Sequence, residues 1–367
     1  MEKSKVYFTN LRADYNENLL QKLKRLIETA GIGDIDFERK YAAIKIHFGE
    51  PGNLAFLRPN YAKVVADTVK SLGGRPFLTD CNTLYVGRRK NALDHLEAAQ
   101  ENGFSVLSTG CQILIGDGLK GTDETLVPID GEYVKEAKIG TAIMDADVFI
   151  SLNHFKGHEA TGFGGALKNI GMGCGSRAGK MEMHSAGKPS VSQDICIGCG
   201  ACLKACAHDA ITITEHRARI DHEKCVGCGR CIGRCPVDAI SEAGDETNDI
   251  LNCKIAEYSH AVLKDRSHFH ISLVIDLSPN CDCHSENDLP IAPDVGMFAS
   301  FDPVALDVAC ADAVNAQPVM PGSMLAEQEQ RHHDHFHDTH PDTNWKSCIA
   351  HAVKLGIGSD EYELITI

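Results

Sequence analysis

Cysteine carries the first chemical signal in this chain. Cys196, Cys199, Cys202 and Cys206 follow the spacing C-x2-C-x2-C-x3-C, and Cys225, Cys228, Cys231 and Cys235 repeat it 29 residues later. Gly198/Gly227, Gly200/Gly229, Asp209/Asp238, Ala210/Ala239 and Ile211/Ile240 match at the same offset, so the segment is an internal repeat whose halves form a pseudo-two-fold pair. Three thiolates close together, separated by glycines that let the chain curl, suit three iron corners of one [4Fe–4S] cubane and leave the fourth iron to a distant ligand. Zinc ribbons, which use paired C-x2-C knuckles with a long spacer, and plain buried thiols are the competing readings; eight cysteines in this order disfavour both.

Residues 190–242 resemble the bacterial two-cluster ferredoxins. In that arrangement the fourth ligand of each cluster comes from the opposite half. The resemblance implies that Cys196, Cys199, Cys202 and Cys235 hold one cluster and that Cys225, Cys228, Cys231 and Cys206 hold the other. Pro236 follows the last cysteine of the second set, whereas Ala207 stands at the matching place in the first, a departure that removes no ligand. Such a module passes single electrons, at potentials set by cluster charge, hydrogen bonds to sulfur and exposure.

A second concentration of reactive side chains lies just before it. Residues 151–189 hold His154, Lys156, His158, Lys168, Cys174, Arg177, Lys180 and His184 among many glycines, and begin at the end of an expected strand, where open α/β sheets bind ligands. Glycine at this density permits close backbone approach to a ligand or an anion-binding turn. Gly171 and Gly173 alone are weak evidence for a dinucleotide, because no complete G-x-G-x-x-G is present. A functional pocket and a solvated glycine-rich connection both remain open here. In a pocket, His154, His158 or His184 would carry protons and Lys168 or Arg177 would hold an anionic substrate group.

Cys281, Cys283 and His284 form a C-x-C-H cluster beyond another expected strand. Alternate residues on an extended chain point the same way, so the two thiols suit one metal, the flank of a substrate, or a pair of reduced structural thiols. Cys81 and Cys174, near strand ends, are the candidate extra ligands. Cys111, Cys253, Cys310 and Cys348 lie in apolar or helical surroundings and read as core. Residues 331–340 (RHHDHFHDTH) pack five histidines into ten positions; a solvated loop is the favoured reading, with metal capture or a pH-responsive surface as alternatives.

These groups need a scaffold. Strands are expected at residues 5–9, 42–48, 76–80, 112–115, 147–153 and 270–277. Helices are expected at 17–30, 60–72, 88–102, 253–263, 303–315 and 344–354, the last of these as the final ordered unit. Gly31, Gly73 and Gly103 mark three helix ends, and Asp302 with Pro303 marks a helix start. Strands alternating with helices predict an α/β fold with a mostly parallel, helix-flanked sheet and an inserted ferredoxin-like α+β module. The domain plan is a host domain over 1–189, the insert over 190–242 and the host resumed over 243–367.

The chain has 367 residues, 36 Lys+Arg and 51 Asp+Glu, with no basic run to track a phosphate backbone. Nucleic acid and anionic membranes are excluded as expected partners. No apolar run approaches the length of a bilayer span and no signal peptide opens the sequence, so a cytoplasmic location is expected, where cysteines stay reduced.

DCNTLY at Asp80–Tyr85, HFKGHEATGFGGALKNIGMG at His154–Gly173, and CDC with PDVG at Cys281–Gly296 resemble the iron–sulfur centre proteins of the domain of unknown function 362 family. That resemblance implies the fold and the clusters, and adds Asp80, Asn82 and Asp294 to the pocket; it carries no established reaction. A second likeness concerns spacing alone. As in the nickel-pincer lactate racemases, Lys168 has a histidine ten residues before it (His158), another sixteen after (His184), and a glycine pair between (Gly164, Gly165). The pair sits one residue differently and the C-terminal region does not match. The expected function is an iron–sulfur oxidoreductase passing single electrons between a soluble donor or acceptor protein and a small, anionic molecule in the host domain, which has room for a further metal or small organic cofactor. A ferredoxin-type electron carrier, and an isomerase or lyase with a nickel-pincer-like site at Lys168 and His184, are the alternatives.

Overall fold

Among the described residues the central sheet has eight strands, and its inner ones are buried on both faces. We label them β1 (Ser4–Asn10), β2 (Tyr41–Lys45), β3 (Arg75–Asp80), β4 (Gln112–Ile115), β5 (Val148–His154), β6 (Ser267–Val274), β7 (Gly296–Ser300) and β8 (Tyr362–Thr366). In β5, Val148, Ile150 and Leu152 enter one apolar core while Phe149 enters the other, and in β7 Met297 and Ala299 face opposite to Phe298. Alternation between two apolar layers is what a doubly covered sheet demands. The computed structural model describes residues 3–84, 87–184, 188–243, 247–329 and 331–367; Tyr85 of the DCNTLY motif and residues 185–187 of the glycine-rich stretch lie outside the described residues.

The spatial order is β8-β1-β7-β6-β5-β2-β3-β4. Pairings β8·β1, β6·β5, β5·β2, β2·β3 and β3·β4 are parallel, whereas β7 runs antiparallel to both β1 and β6. The protein is thus mixed α/β with a mostly parallel, helix-flanked sheet. Helices α1 (Leu19–Thr29), α2 (Pro59–Ser71) and α3 (Ala92–Glu101) precede β4 in the chain; α4 (Ala166–Cys174), α5 (Arg177–His184), α6 (Asn248–Leu263), α7 (Pro303–Asn315) and α8 (Trp345–Lys354) follow β5. Asp302 caps α7 as expected, accepting from the N–H groups of Val304 at 2.8 Å and Ala305 at 3.0 Å.

Several expectations need correction. The chain does not finish with α8, because β8 follows and pairs with β1. Neither β7 nor β8 was expected; both are short and become strands only by hydrogen bonding to neighbours distant in sequence. The glycine-rich stretch is not a loop: most of it folds as the hairpin Lys156–His158 with Gly162–Gly164, then α4 and α5. Residues 331–340 are not a solvated loop either. His335 Nε2 bonds the Gln317 carbonyl at 2.9 Å, His340 Nε2 bonds the Pro279 carbonyl at 2.8 Å, and Phe336 packs against Phe155 and Phe163. Phe336 supplies the apolar anchor that draws its polar neighbours inward.

Between β5 and β6 the chain leaves the sheet for residues 190–242, and the β5·β6 register (Val148 opposite Ser267, His154 opposite Leu273) rejoins the flanking parts in one sheet. Pro189–Val191 pairs antiparallel with Ile240–Glu242, tying the start of this segment to its end, and Ile211–Thr214 pairs with Arg217–Ile220 as a hairpin. Among the described residues no helix is long and apolar enough to cross a membrane.

Candidate functional site

Parallel strands deliver their C-terminal ends to one rim, and the polar side chains gather there. Lys45 ends β2, Asp80 ends β3 and His154 ends β5. With His47, Cys81, Arg89, Lys156, Lys168, Lys180 and Cys283 they line a cavity of about 60 Å³. This is the edge at which open α/β sheets place ligands.

Asp80 is the hub of one side. Its carboxylate pairs with Lys45 at 2.9 Å and lies 3.8 Å from both Arg89 and His95. Burial pushes this carboxyl up, but Lys45, His47, His95 and Lys180 together hold it well below the usual range. Arg89 is also paired with Glu50 at 2.8 Å and meets His47 at 3.0 Å. His95 is driven the opposite way by burial, to about 3.

The other side is built on thiols. Lys168, in the first turn of α4, places its Nζ 3.0 Å from Cys281 Sγ. The Cys283 thiol donates to Cys281. Against burial, the Lys168 and Lys156 ammonium groups and a hydrogen bond with His158 also hold Cys281 well below the ordinary thiol range. The same bond to Cys281, together with burial, pushes Cys283 up. Lys168 is raised against its own burial by the two sulfurs. The Lys168 ammonium thus stands against a hydrogen-bonded pair of thiols, with the pull toward thiolate strongest at Cys281.

Each candidate histidine has a distinct setting. His154 spends both nitrogens, Nδ1 on Asp282 at 2.9 Å and Nε2 on the Ile275 carbonyl at 2.8 Å, so neither faces a ligand. His158 Nδ1 accepts from the N–H groups of Ala160 at 3.0 Å and Thr161 at 3.2 Å, which leaves the ring hydrogen on Nε2 when the ring is neutral. His184 is pushed down to about 3 by burial and by His158 and the Lys168 and Lys180 charges, so its ring is neutral.

Of the other expected residues Cys81 lines the cavity, whereas Cys174, Asn82, Asp294 and Arg177 lie outside its lining. The Cys81 thiol donates to the Cys174 carbonyl at 3.4 Å; burial raises both thiols, Cys174 to about 11. Asn82 is buried and donates to Asp117 at 2.8 Å and to the Gly118 carbonyl at 2.9 Å. Asp294 is exposed and accepts from the Asp276 N–H at 2.7 Å, which places it at a turn rather than in the pocket. Arg177 lies against the cysteine-rich segment, its Nη2 donating to the Lys90 carbonyl. Gly165 leaves room for the buried Asp307 carboxylate, which accepts from the N–H groups of Ala166 and Leu167 at 2.6 and 2.9 Å; the start of α4 is thereby closed to an anionic ligand.

Sequence reasoning missed Lys45, His47, Arg89, Glu159 and Asp282. The signal for Lys45 was legible: a lysine inside the apolar run YAAIKIHF calls for a buried partner. Asp282 lies between the two thiols and pairs with Lys156 at 3.3 Å. Glu159, Cys283 and His284 bring three ligand-type atoms within 4.8 Å of one another, the arrangement a metal ion would use.

In residues 190–242 the repeat is visible in the backbone: Gly198/Gly227, Gly200/Gly229 and Asp209/Asp238 all take positive φ. Two small cavities lie between the halves. One is lined by Cys196, Cys199, Cys202 and Cys235, the other by Cys206, Cys225, Cys228 and Cys231. The N–H groups of Ala218 and Ala239 point to Cys196 Sγ at 3.3 Å and Cys235 Sγ at 3.2 Å.

Fold and site together define a mixed α/β protein with a charged pocket at the strand ends and a cysteine-rich segment between β5 and β6. The family model described as Domain of unknown function (DUF362) matches residues 42–312, and the chain belongs to that family. No curated protein matches it. Among solved structures, a Thermotoga maritima protein is similar over 80% of this chain and 58% of its own, at 12% identity and a TM-score of 0.42. The lactate racemase apoprotein from Thermoanaerobacterium thermosaccharolyticum is similar over 74% of this chain and 51% of its own, at 12% identity and a TM-score of 0.35. The chain therefore spans little more than half the length of these two proteins.

Proposed function

We propose that this protein is an iron–sulfur oxidoreductase that exchanges single electrons with a small anionic molecule held at the strand-end pocket. The observation that carries the reading is the crosswise sorting of eight thiols into two cavities, each with three cysteines of one half and the last cysteine of the other. Cys196, Cys199, Cys202 and Cys235 would hold one [4Fe–4S] cluster and Cys206, Cys225, Cys228 and Cys231 the second, with single-electron transfer as their contribution. N–H donors beside Cys196 and Cys235 suit thiolate ligands.

Helix α5 links the two regions. Arg177, at its first residue, packs on Gly229 and Gly233, and Met181 joins the apolar cluster of the cysteine segment, whereas Lys180 lines the strand-end pocket. Eight helical residues span roughly 12 Å, a short path between pocket and cysteines. In the pocket Lys156, Lys168 and Lys180 attract an anion and Cys283 faces it, while Cys281 and the His158 that bonds it lie behind the lining, where His158 is placed to exchange a proton with the Cys281 sulfur.

Anaerobic reconstitution tests the reading: about eight irons per chain are expected, falling to about four in either Cys206→Ser or Cys235→Ser. Zinc in place of iron, or iron unaffected by these substitutions, overturns it. If the clusters are reducible but no small molecule quenches them, the protein is a carrier. The isomerase or lyase reading draws on the nearness of His158, Lys168 and His184. An unmodified Lys168 in the intact mass of the native protein, without nickel, removes its nickel-pincer form.

A further inference from the structure

A larger cavity, of about 700 Å³, opens where the sheet-bearing part of the chain meets the cysteine segment. Six cations line it: Lys90, Lys120 and Arg177 from one side, Lys204, Arg230 and Arg234 from the other. No carboxylate belongs to the lining, although acidic residues outnumber basic ones 51 to 36 in the chain. Lys90 pairs with Asp238. Among the described residues Lys120, Arg177, Lys204, Arg230 and Arg234 have no carboxylate within 4.0 Å, and Arg177, 2% exposed, has no hydrogen-bond partner at Nε. Asp117 is the nearest balancing charge for Arg177, beyond ion-pair distance, so the exposed cations of the lining carry most of the uncompensated positive charge that an anion would satisfy.

We infer that this junction cavity binds a ligand carrying two or three linked phosphates. Its volume lies within the range of small-molecule sites, roughly 300–1,000 Å³. A concave lining with a buried arginine suits a compact polyanion, because arginine forks match phosphate oxygens and lysines add point charge. Leu119 and Ala205 are the apolar side chains of the lining and no aromatic ring is present, so the phosphates, and not a stacked base, are what the cavity recognises. Lys204, Arg230 and Arg234 come from the segment that carries Cys206, Cys231 and Cys235, so a bound polyanion joins that segment to the rest of the molecule. Binding is independent of the iron–sulfur reading, since cations alone form the site.

Isothermal titration of the anaerobically purified full chain with inorganic tripolyphosphate tests this, with ATP as a second arm and sulfate at matched ionic strength as control. One saturable site per chain is expected, weakening steeply with salt and losing about tenfold or more in affinity in both Arg230→Gln and Lys120→Gln. Both side chains are exposed, and unchanged melting and iron content will show that the variants fold. Equal or weaker affinity for ATP than for tripolyphosphate supports recognition of the phosphate chain; tighter ATP binding overturns it. No saturable binding at concentrations on the order of millimolar, affinities unchanged in both variants, or binding by an acidic protein without binding by tripolyphosphate overturns the inference.

Discussion

Asp80 and Lys168 do opposite electrostatic work in one pocket. Asp80 neutralises buried cations, and Lys168 neutralises a buried thiolate. Replacing Asp80 by Asn keeps the shape but leaves Lys45, paired at 2.9 Å in the native protein, as an uncompensated buried charge. Such losses cost roughly 3–5 kcal/mol, so a clear fall in the denaturant midpoint is expected, and an unchanged midpoint would mean that Lys45 finds another acceptor. Lys168→Met removes the ammonium 3.0 Å from Cys281. The Cys281 thiol should then titrate higher, and ultraviolet difference spectra at neutral pH should show one thiolate fewer per chain, the same loss seen in Cys281→Ser. Asp80 was legible from a family-like motif; the lysine–thiolate pair was not, because 113 residues separate its members.

At the scale of elements, the cysteine segment depends on tight turns repeated in both halves. Gly198 has φ +66°, and a Cβ there would run into the His216 carbonyl oxygen; Gly200 has φ +75° with open space around it. Gly198→Ala should therefore destabilise more than Gly200→Ala, whose cost is the left-handed strain of about 1–2 kcal/mol. Thermal melts of the two variants check the order, and equal losses would show that the His216 turn gives way. The repeat behind these turns was readable because each half is local, with spacing and glycines within a dozen residues. Helices α4 and α5 were hidden for a related reason: glycine lowers local helix propensity, and packing against α6 restores the helix.

For the whole molecule, acid stability follows from its buried histidines. His95 and His184 are pushed down to about 3, and His47 and His270 well below their usual value, burial being the first cause in all four. Between about pH 6.5 and 4 the unfolded chain takes up protons at these rings and the folded chain does not, so stability falls as pH falls. Asp117 and Asp307 act in the other direction: burial raises them to about 6 and about 7, so the folded state binds their protons first. With His260, His268 and His340 also pushed down, and Asp294 and His284 pushed up, seven lowered histidines stand against four raised groups and leave the unfolded state binding more protons. The melting temperature should drop on acidification from pH 7 to pH 4; a rise would show that the raised groups dominate.

By itself the sequence determined what local pattern can specify. It held the duplicated cysteine spacing, the order of most strands and helices, and the caps and stops that bound them, since periodicity and capping act within a few turns of chain. Only the tertiary structure decided that β7 runs against its neighbours, that Arg177 belongs to the junction cavity and not beside Lys168, that Asp294 stays at the surface, and that Lys168 lies against Cys281. Those outcomes depend on distances between residues tens to hundreds of positions apart and on burial that magnifies each charge, and neither quantity exists until the chain has folded.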